Sequence, residues 1–182
     1  MPRMIGNHIM LREYRQEDFQ EIRRWVNDRA TTEFLSPIFW FPQTEADTTD
    51  FLSRVMRAAP NAAYFVIADV KDESYIGQMD IFEINWKIRK GILGTVIGSE
   101  QARGKGYGTE ALQLLQDYAF GVLGLERLEL DVCAGNTRAV RCYEKAGMRL
   151  EGTRRHATMV NGEYTDLHMM AIIREDWEAK HR

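Results

Sequence analysis

The chain has few of the residues that staple or punctuate a small fold. With 2 cysteines and 4 prolines in 182 residues, it can hold neither a disulfide framework nor a proline-rich linker. Cys133 and Cys142 lack a set of metal-ligand companions at useful spacing, so no metal is expected. There is no run of about 18 uncharged apolar residues, which excludes a helical membrane span. The opening Met-Pro-Arg-Met-Ile-Gly contains no secretory apolar core. Repeats, low-complexity tracts and Gly/Ser linkers are absent as well. A net charge of −3 argues against a general nucleic-acid binder and suits a cationic substrate. What remains is an ordinary apolar share of 45% beside 28% charged residues, enough for one real core. The expectation is one cytoplasmic domain over residues 1–182, with both thiols buried and reduced.

Hydrophobic periodicity then sets out the elements. Ile5 to Tyr14 alternates and reads as a strand. Phe19 to Asn27 reads as a helix capped by Asp18, and Thr44 to Ala58 as a second helix with acids early and arginines late. Ala63–Val70, Tyr75–Asn85 and Gly91–Gly98 follow as three strands of an antiparallel meander. Gly104–Val122 is a helix, Leu125–Val132 a strand, and Asn136–Ala146 a helix closed by Gly147. Met148–Val160 and Glu163–Ile173 flank Asn161-Gly162, a type I′ hairpin signal. Helices on both faces of one mixed sheet bury this pattern best.

The stretch Gln101-Ala-Arg-Gly-Lys-Gly-Tyr-Gly-Thr109 lies where a strand hands over to a helix. Gly104, Gly106 and Gly108 let backbone N–H groups turn inward, and the helix adds its positive dipole end. Such a loop holds a phosphate or pyrophosphate. It is not a P-loop, because Gly106 precedes Tyr107. The dinucleotide fingerprint demands glycine where Thr109 stands, although Asp131 follows at a tolerable distance for a ribose. A dinucleotide-dependent oxidoreductase is therefore the weaker alternative.

The element order together with Gln101-x-x-Gly104-x-Gly106 resembles the GNAT superfamily of acyl-CoA-dependent N-acetyltransferases. Asn136-Thr-Arg-Ala-Val-Arg-Cys-Tyr-Glu-Lys-Ala-Gly-Met148 is similar to the family's Asn-x-x-Ala-x-x-x-Tyr-Glu-Lys-x-Gly-Phe segment. The run Arg149-Leu-Glu-Gly-Thr-Arg, Asn161-Gly162, Asp166 and the earlier Trp25-Val-Asn-Asp28 resemble the subgroup that acetylates ribosomal-protein N-termini and its spermidine-acetylating cousins. This resemblance implies an α/β (α+β) fold, with a mixed, mostly antiparallel sheet of six to seven strands and helices on both faces. It also implies acetyl-CoA as co-substrate and direct attack by a primary amine of a protein N-terminus, a polyamine or another small amine. Neither nucleic acid nor membrane is an expected partner, while homodimers are common in the family.

The resemblance also carries roles for individual residues. Gln101, Arg103, Gly104, Lys105, Gly106, Tyr107, Gly108 and Thr109 would hold the pyrophosphate. A backbone N–H at Val96 or Ile97 would meet the thioester oxygen, and Asn136 the pantetheine arm. Tyr143 would protonate the leaving thiolate, since a phenol of pKa about 10 can reach a thiolate of about 8.5. The base is the departure. Relatives carry a strand glutamate where this chain has Ile92, so Glu83 is taken as the substitute, with Asp80 and Asp166 as further options. The same gap leaves open a non-catalytic acyl-CoA sensor. His156 and His168 read as structural or surface residues, and the apolar run 34–42 as a border of the acceptor site or a packing surface.

Overall fold

The computed structural model describes residues 3–98 and 100–181. Alternating apolar residues build an eight-stranded sheet from β1 (Met4–Ile5), β2 (Ile9–Arg12), β3 (Ala63–Asp69), β4 (Tyr75–Asn85), β5 (Lys90–Ile97), β6 (Arg127–Cys133), β7 (Arg149–Val160) and β8 (Glu163–Ile173). Their order is β1-β2-β3-β4-β5-β6-β8-β7. Every pairing is antiparallel except β5 with β6. The helices are α1 (Phe19–Val26), α2 (Arg29–Thr32), α3 (Glu45–Val55), α4 (Tyr107–Gln116), α5 (Thr137–Lys145) and α6 (Arg174–Lys180).

The sheet therefore has eight strands, not six or seven. The first predicted strand breaks at Gly6, whose N–H bonds the Ile9 carbonyl at 2.9 Å and folds the segment into the β1–β2 hairpin. The helix predicted from Gly104 begins at Tyr107 instead, because Gly104 and Gly106 take φ of 76° and 86°, outside helical space. At its far end α4 widens into a π-helical turn over Asp117–Val122. The closing helix α6 was not foreseen. Asn161 and Gly162 both take positive φ, as a type I′ turn requires.

Strand alternation sorts the apolar residues onto two faces. One face carries Phe65, Ile67, Met79, Ile81 and Leu93, packed with Leu112 and Leu115 of α4, Tyr143 of α5 and Met170 and Ile172 of β8. The other carries Val66 and Ala68 under Ile22 and Trp25 of α1 and Leu52 and Val55 of α3. Thr44, read as the first residue of this helix, caps α3 instead, its side chain accepting from the Asp47 N–H while the Asp47 carboxylate accepts from the Thr44 N–H.

Asp18 does not cap α1. Its carboxylate turns back to the Arg12 guanidinium in a two-pronged pair at 2.9 and 2.7 Å, with both side chains at most 4% exposed. Arg12 also donates to the Glu73 and Glu13 carbonyls, and the Arg15 N–H donates to Asp18. A guanidinium this deep needs an anionic partner, and that demand outweighs the helix terminus. Asp18→Ala, which strands the buried cation, is expected to cost about 3–5 kcal/mol in urea unfolding. A loss below about 1 kcal/mol would show that solvent reaches Arg12 readily.

Candidate active site

β5 and β6 are joined only at their lower ends, through Lys90↔Arg127, Gly91↔Leu128 and Ile92↔Glu129. Above Ile92 they part, while β5 stays bonded to β4 up to the Gly77↔Ile97 pair. The result is a fork within a continuous sheet. The direction of its free amides follows from the ladder. The Gly98 N–H donates to the Ile76 carbonyl of β4's side, and the Arg89 carbonyl accepts from the Glu126 and Arg127 N–H groups of β6's side. Alternate residues share a direction, so the N–H groups of Leu93, Thr95 and Ile97 face the opening. Of the two positions expected to supply an oxyanion donor, Ile97 faces the fork. Val96 is turned to β4, a correction that comes from the ladder's parity. Leu93 and Thr95 were missed because parity is set by pairing, which the sequence does not display.

The glycine loop closes the upper end of the fork, after a short 3₁₀ turn at Glu100–Ala102. Gly104, Lys105 and Gly106 are exposed. A side chain built at Gly104 or Gly106 would meet nothing within 4 Å, so the cradle has room for a ligand against its backbone. It opens at the N-terminus of the ten-residue helix α4, whose dipole favours an anion there. The residues expected here divide. Gln101 is exposed in the 3₁₀ turn, Tyr107 starts α4, and the Lys105 ammonium sits 6.0 Å from the Tyr107 ring centroid. Arg103 is committed within the protein: its guanidinium donates to Thr31 Oγ1 at 2.6 Å and to the Ile97 carbonyl at 3.4 Å, lacing the loop to α2 and β5. Gly108 and Thr109 face Cys142 rather than the cradle, with Thr109 Oγ1 3.4 Å from its sulfur. A Cβ on Gly108 would approach that sulfur to 3.2 Å, so this glycine serves the packing of α4 on α5.

α5 carries the second motif back down beside the fork. It starts just above Cys133, and β7 re-enters at Arg149 opposite Ala171, itself opposite Glu129 at the fork's base. Asn136 caps α5, its Oδ1 accepting from the Ala139 N–H at 3.2 Å. Tyr143 stands seven residues on, about 10 Å lower. It is 8% exposed, and burial pushes its pKa well up, so the phenol is neutral at physiological pH. Its hydroxyl has no protein partner among the described residues. Because no fully buried side-chain polar atom there lacks a partner, this oxygen opens to solvent. The helix ends at Gly147, whose φ of 92° lets the Met148 N–H close onto the Tyr143 carbonyl at 2.9 Å. Neither thiol is a nucleophile in waiting: Cys133 is buried, and burial raises the Cys142 pKa.

The carboxylates are where the sequence choice changes. Glu83 stands on a β4 bulge at φ 52°, exposed, level with the closed end of the fork between the Phe82↔Ile92 and Asn85↔Lys90 pairs. Asp166 is held by the His156 N–H at 2.9 Å, across a bulge of β7. His168 meets Thr153, and His156 stacks on Tyr164. Asp131, the ribose candidate of the dinucleotide reading, is paired with Arg154. Asp80 differs from all of these. Desolvation raises its pKa to about 7 against the Phe65 N–H, the Tyr14 hydroxyl and the Arg54 charge, which all pull it down.

The run 34–42 is pinned by Gln43, which donates to the Ile38 and Phe41 carbonyls, and by reciprocal bonds between Asn27 and Gln43. With α2 and the β7–β8 hairpin tip it encloses a cavity of about 550 Å³, lined by Glu33, Phe39, Trp40, Phe41, Met159 and Asn161 among others. Arg29, also in its lining, donates to Asn161 Oδ1 at 2.6 Å. The aromatic run was visible in the sequence, but its partners 120 residues away were not.

A forked sheet with an anion cradle above it and a neutral tyrosine beside it defines an acyl-CoA-dependent transferase. Residues 8–149 match the Acetyltransferase (GNAT) domain family, and the chain belongs to it. It is 28% identical to the spermidine N(1)-acetyltransferase of Escherichia coli K12 over 97% of this chain and 92% of that one. To the spermidine N(1)-acetyltransferase of Vibrio cholerae it is 31% identical, over 95% and 97%. Its fold matches the crystal structure of the Vibrio cholerae spermidine N-acetyltransferase in complex with CoA and spermine, with TM-score 0.81, 24% identity, and 93% and 98% coverage. The chain is thus an acetyl-CoA-dependent N-acetyltransferase, and among the described residues no helix is long and apolar enough to cross a membrane.

Gly106→Ala places a Cβ in left-handed backbone, a strain of about 1–2 kcal/mol, and is expected to weaken acetyl-CoA binding roughly tenfold by calorimetry. Gly124→Ala, equally left-handed with nothing within 4 Å, is the control for strain outside the cradle. Equal effects of both on acetyl-CoA affinity would count against the cradle.

Proposed function

We propose that the protein acetylates a primary amine of a small cationic molecule, a polyamine being the class best supported, by direct attack within a ternary complex. The observation that carries this reading is the fork: amides of β5 above Ile92 face its opening, the glycine loop stands at its upper end, and α5 carries a Tyr143 hydroxyl open to solvent. The cradle holds the pyrophosphate of acetyl-CoA against the N-terminus of α4. The N–H groups of Leu93, Thr95 and Ile97 line the pantetheine path, and one of them receives the thioester oxygen as charge develops on it, an effect worth a few kcal/mol in other enzymes. The amine nitrogen forms a bond to the carbonyl carbon, and the carbon–sulfur bond then breaks. Tyr143 supplies a proton to the sulfur and regains one released by the nitrogen, so the enzyme is unchanged. Burial disfavours the tyrosinate, but it equally disfavours the thiolate in the same cleft, which keeps the transfer within reach.

The acceptor class is supported by charge and by the cavity. Trp40 and Phe41, 57% and 70% exposed, line the cavity with Glu33 and offer aromatic faces and a carboxylate to a cation. The relatives named for spermidine point the same way.

The test is thiol release from acetyl-CoA with spermidine as acceptor, beside an N-terminal peptide, after titration with acetyl-CoA and with NAD as control. Acetyl-CoA binding without transfer to any amine would turn the reading to the sensor. Tyr143→Phe is expected to lower turnover at least tenfold with acetyl-CoA affinity nearly unchanged. Unaltered turnover across pH would remove the general-acid role. Trp40→Ala is expected to raise KM for spermidine severalfold at constant turnover, and an unchanged KM would take the cavity out of acceptor binding.

A further inference from the structure

The amine reaches the fork protonated, and Ile92 cannot take its proton. We infer that Asp80 is the general base of this enzyme, working from the neighbouring strand across Gly94. The inference rests on the acetyl-transfer reading and adds its missing residue.

The register places the carboxyl. Asp80 of β4 lies directly opposite Gly94 of β5, and Phe82 opposite Ile92, so Asp80, Phe82, Ile92, Gly94 and Val96 share one face of the sheet. Over β5 that face is only half-buried, whereas helices cover it over β3. Asp80 therefore stands diagonal to Ile92, which lies two residues from its direct partner Gly94, beside the first stretch of β5 that has left β6. Gly94 adds no side chain there, and the Phe82 ring lies over it: a Cβ on Gly94 would come to 3.0 Å of that ring.

The carboxylate itself is anchored at one end and open at the other. Its Oδ1 accepts from the Phe65 N–H at 3.3 Å and from the Tyr14 hydroxyl at 3.4 Å. Oδ2 has no hydrogen-bond partner among the described residues, yet no fully buried side-chain oxygen there is left unpartnered, so Oδ2 keeps contact with solvent. The groups that face Asp80 are Tyr14 from the segment after β2, Tyr64 opposite it on β3, Tyr75 on β4 and the more distant Arg54 from α3, while β5 presents only Ile92, Gly94 and Val96. Desolvation dominates this setting, so the carboxyl titrates near neutrality and not near 4. A base so placed is about half ionised at pH 7, mostly ionised by pH 8, and more basic than an ordinary carboxylate towards an ammonium proton. The N–H bond breaks, an O–H bond forms at Oδ2, directly or through one water, and the electron pair left on nitrogen attacks the thioester carbon. Asp80 then returns its proton to solvent.

The experiment combines a pH profile with a direct titration. In the wild type, kcat/KM for spermidine is expected to rise with pH to a plateau with its midpoint near 7. Asp80→Asn, which keeps an acceptor for both donors, is expected to lose about a hundredfold in turnover and lose that midpoint, with acetyl-CoA affinity within about twofold. Asp80→Glu and the double variant Asp80→Asn/Ile92→Glu are both expected to recover activity, which a merely structural role would not allow. Stability supplies a second readout. A carboxyl whose pKa is raised by folding destabilises the native state once pH passes from the unfolded value up through the folded one. Asp80→Asn is therefore expected to melt higher than wild type at pH 8, with the gap closing towards pH 4. Carboxyl-carbon NMR of the acetyl-CoA complex reads the titration without any acceptor. An Asp80 carboxyl titrating near 4, or full turnover with an unchanged profile in Asp80→Asn, would overturn the assignment. A wild type that transfers to no amine while Asp80 still titrates near 7 would instead sink the acetyl-transfer reading.

Discussion

One geometric constraint organises the site: β5 must pair with β4 along its whole length and with β6 for only three residues. A sheet that continued its pairing would leave no backbone N–H for a ligand, because buried amides are normally satisfied within the ladder. Here the unsatisfied edge is internal, protected from edge-to-edge aggregation by its position mid-sheet and available only to something thin enough to enter the fork. The parallel β5–β6 contact needs a long crossover, and α4 provides it, which brings the helix N-terminus and its glycine cradle to the top of the gap. The cradle and the free amides are two consequences of one topology.

The same fork sets the electrostatics. Tyr143 and Asp80 lie on opposite faces of the sheet, one on α5 and one on β4, and burial moves both in the direction of the neutral form. For the tyrosine this secures the proton at physiological pH. For the aspartate it lifts an ordinary carboxylate into the range where it can exchange protons with an amine. By contrast Glu83, Asp131 and Asp166 carry the same functional group and lack the setting: one is exposed on a bulge, one is tied to Arg154, and one supports the β7 backbone. Solvation and pairing, not residue type, separate them.

The periphery is built from contacts between segments far apart in the chain. Arg103 joins the cradle to α2 through Thr31, and Arg29 joins α2 to the hairpin tip at Asn161. Phe39 packs on Trp25, 5.7 Å between ring centroids, and sets the aromatic run over α1. The wall of the cavity and the lip of the cradle thus belong to one connected set of elements, so a shift of α2 would be felt at both.

Local chemistry made much of this legible in advance. The periodicity of Tyr75–Asn85 and Glu163–Ile173, the Asn161-Gly162 turn and the glycines before α4 are dictated by short-range sterics and hydrogen bonding, which act within a few residues. The split of the first strand at Gly6 and the late start of α4 depend on φ values that a glycine permits but does not announce. Asp18 went to Arg12 because a buried charge outbids a helix cap, and burial is a property of the whole fold. Likewise the amide parity that favours Ile97 over Val96, and the register that sets Asp80 against Gly94, exist only once strands pair. The sequence alone determined most of the strands and helices and the glycine turn before α4, since these are local. The tertiary structure decided which amides stay free and which carboxylate loses its water, because pairing and desolvation involve residues distant in the chain.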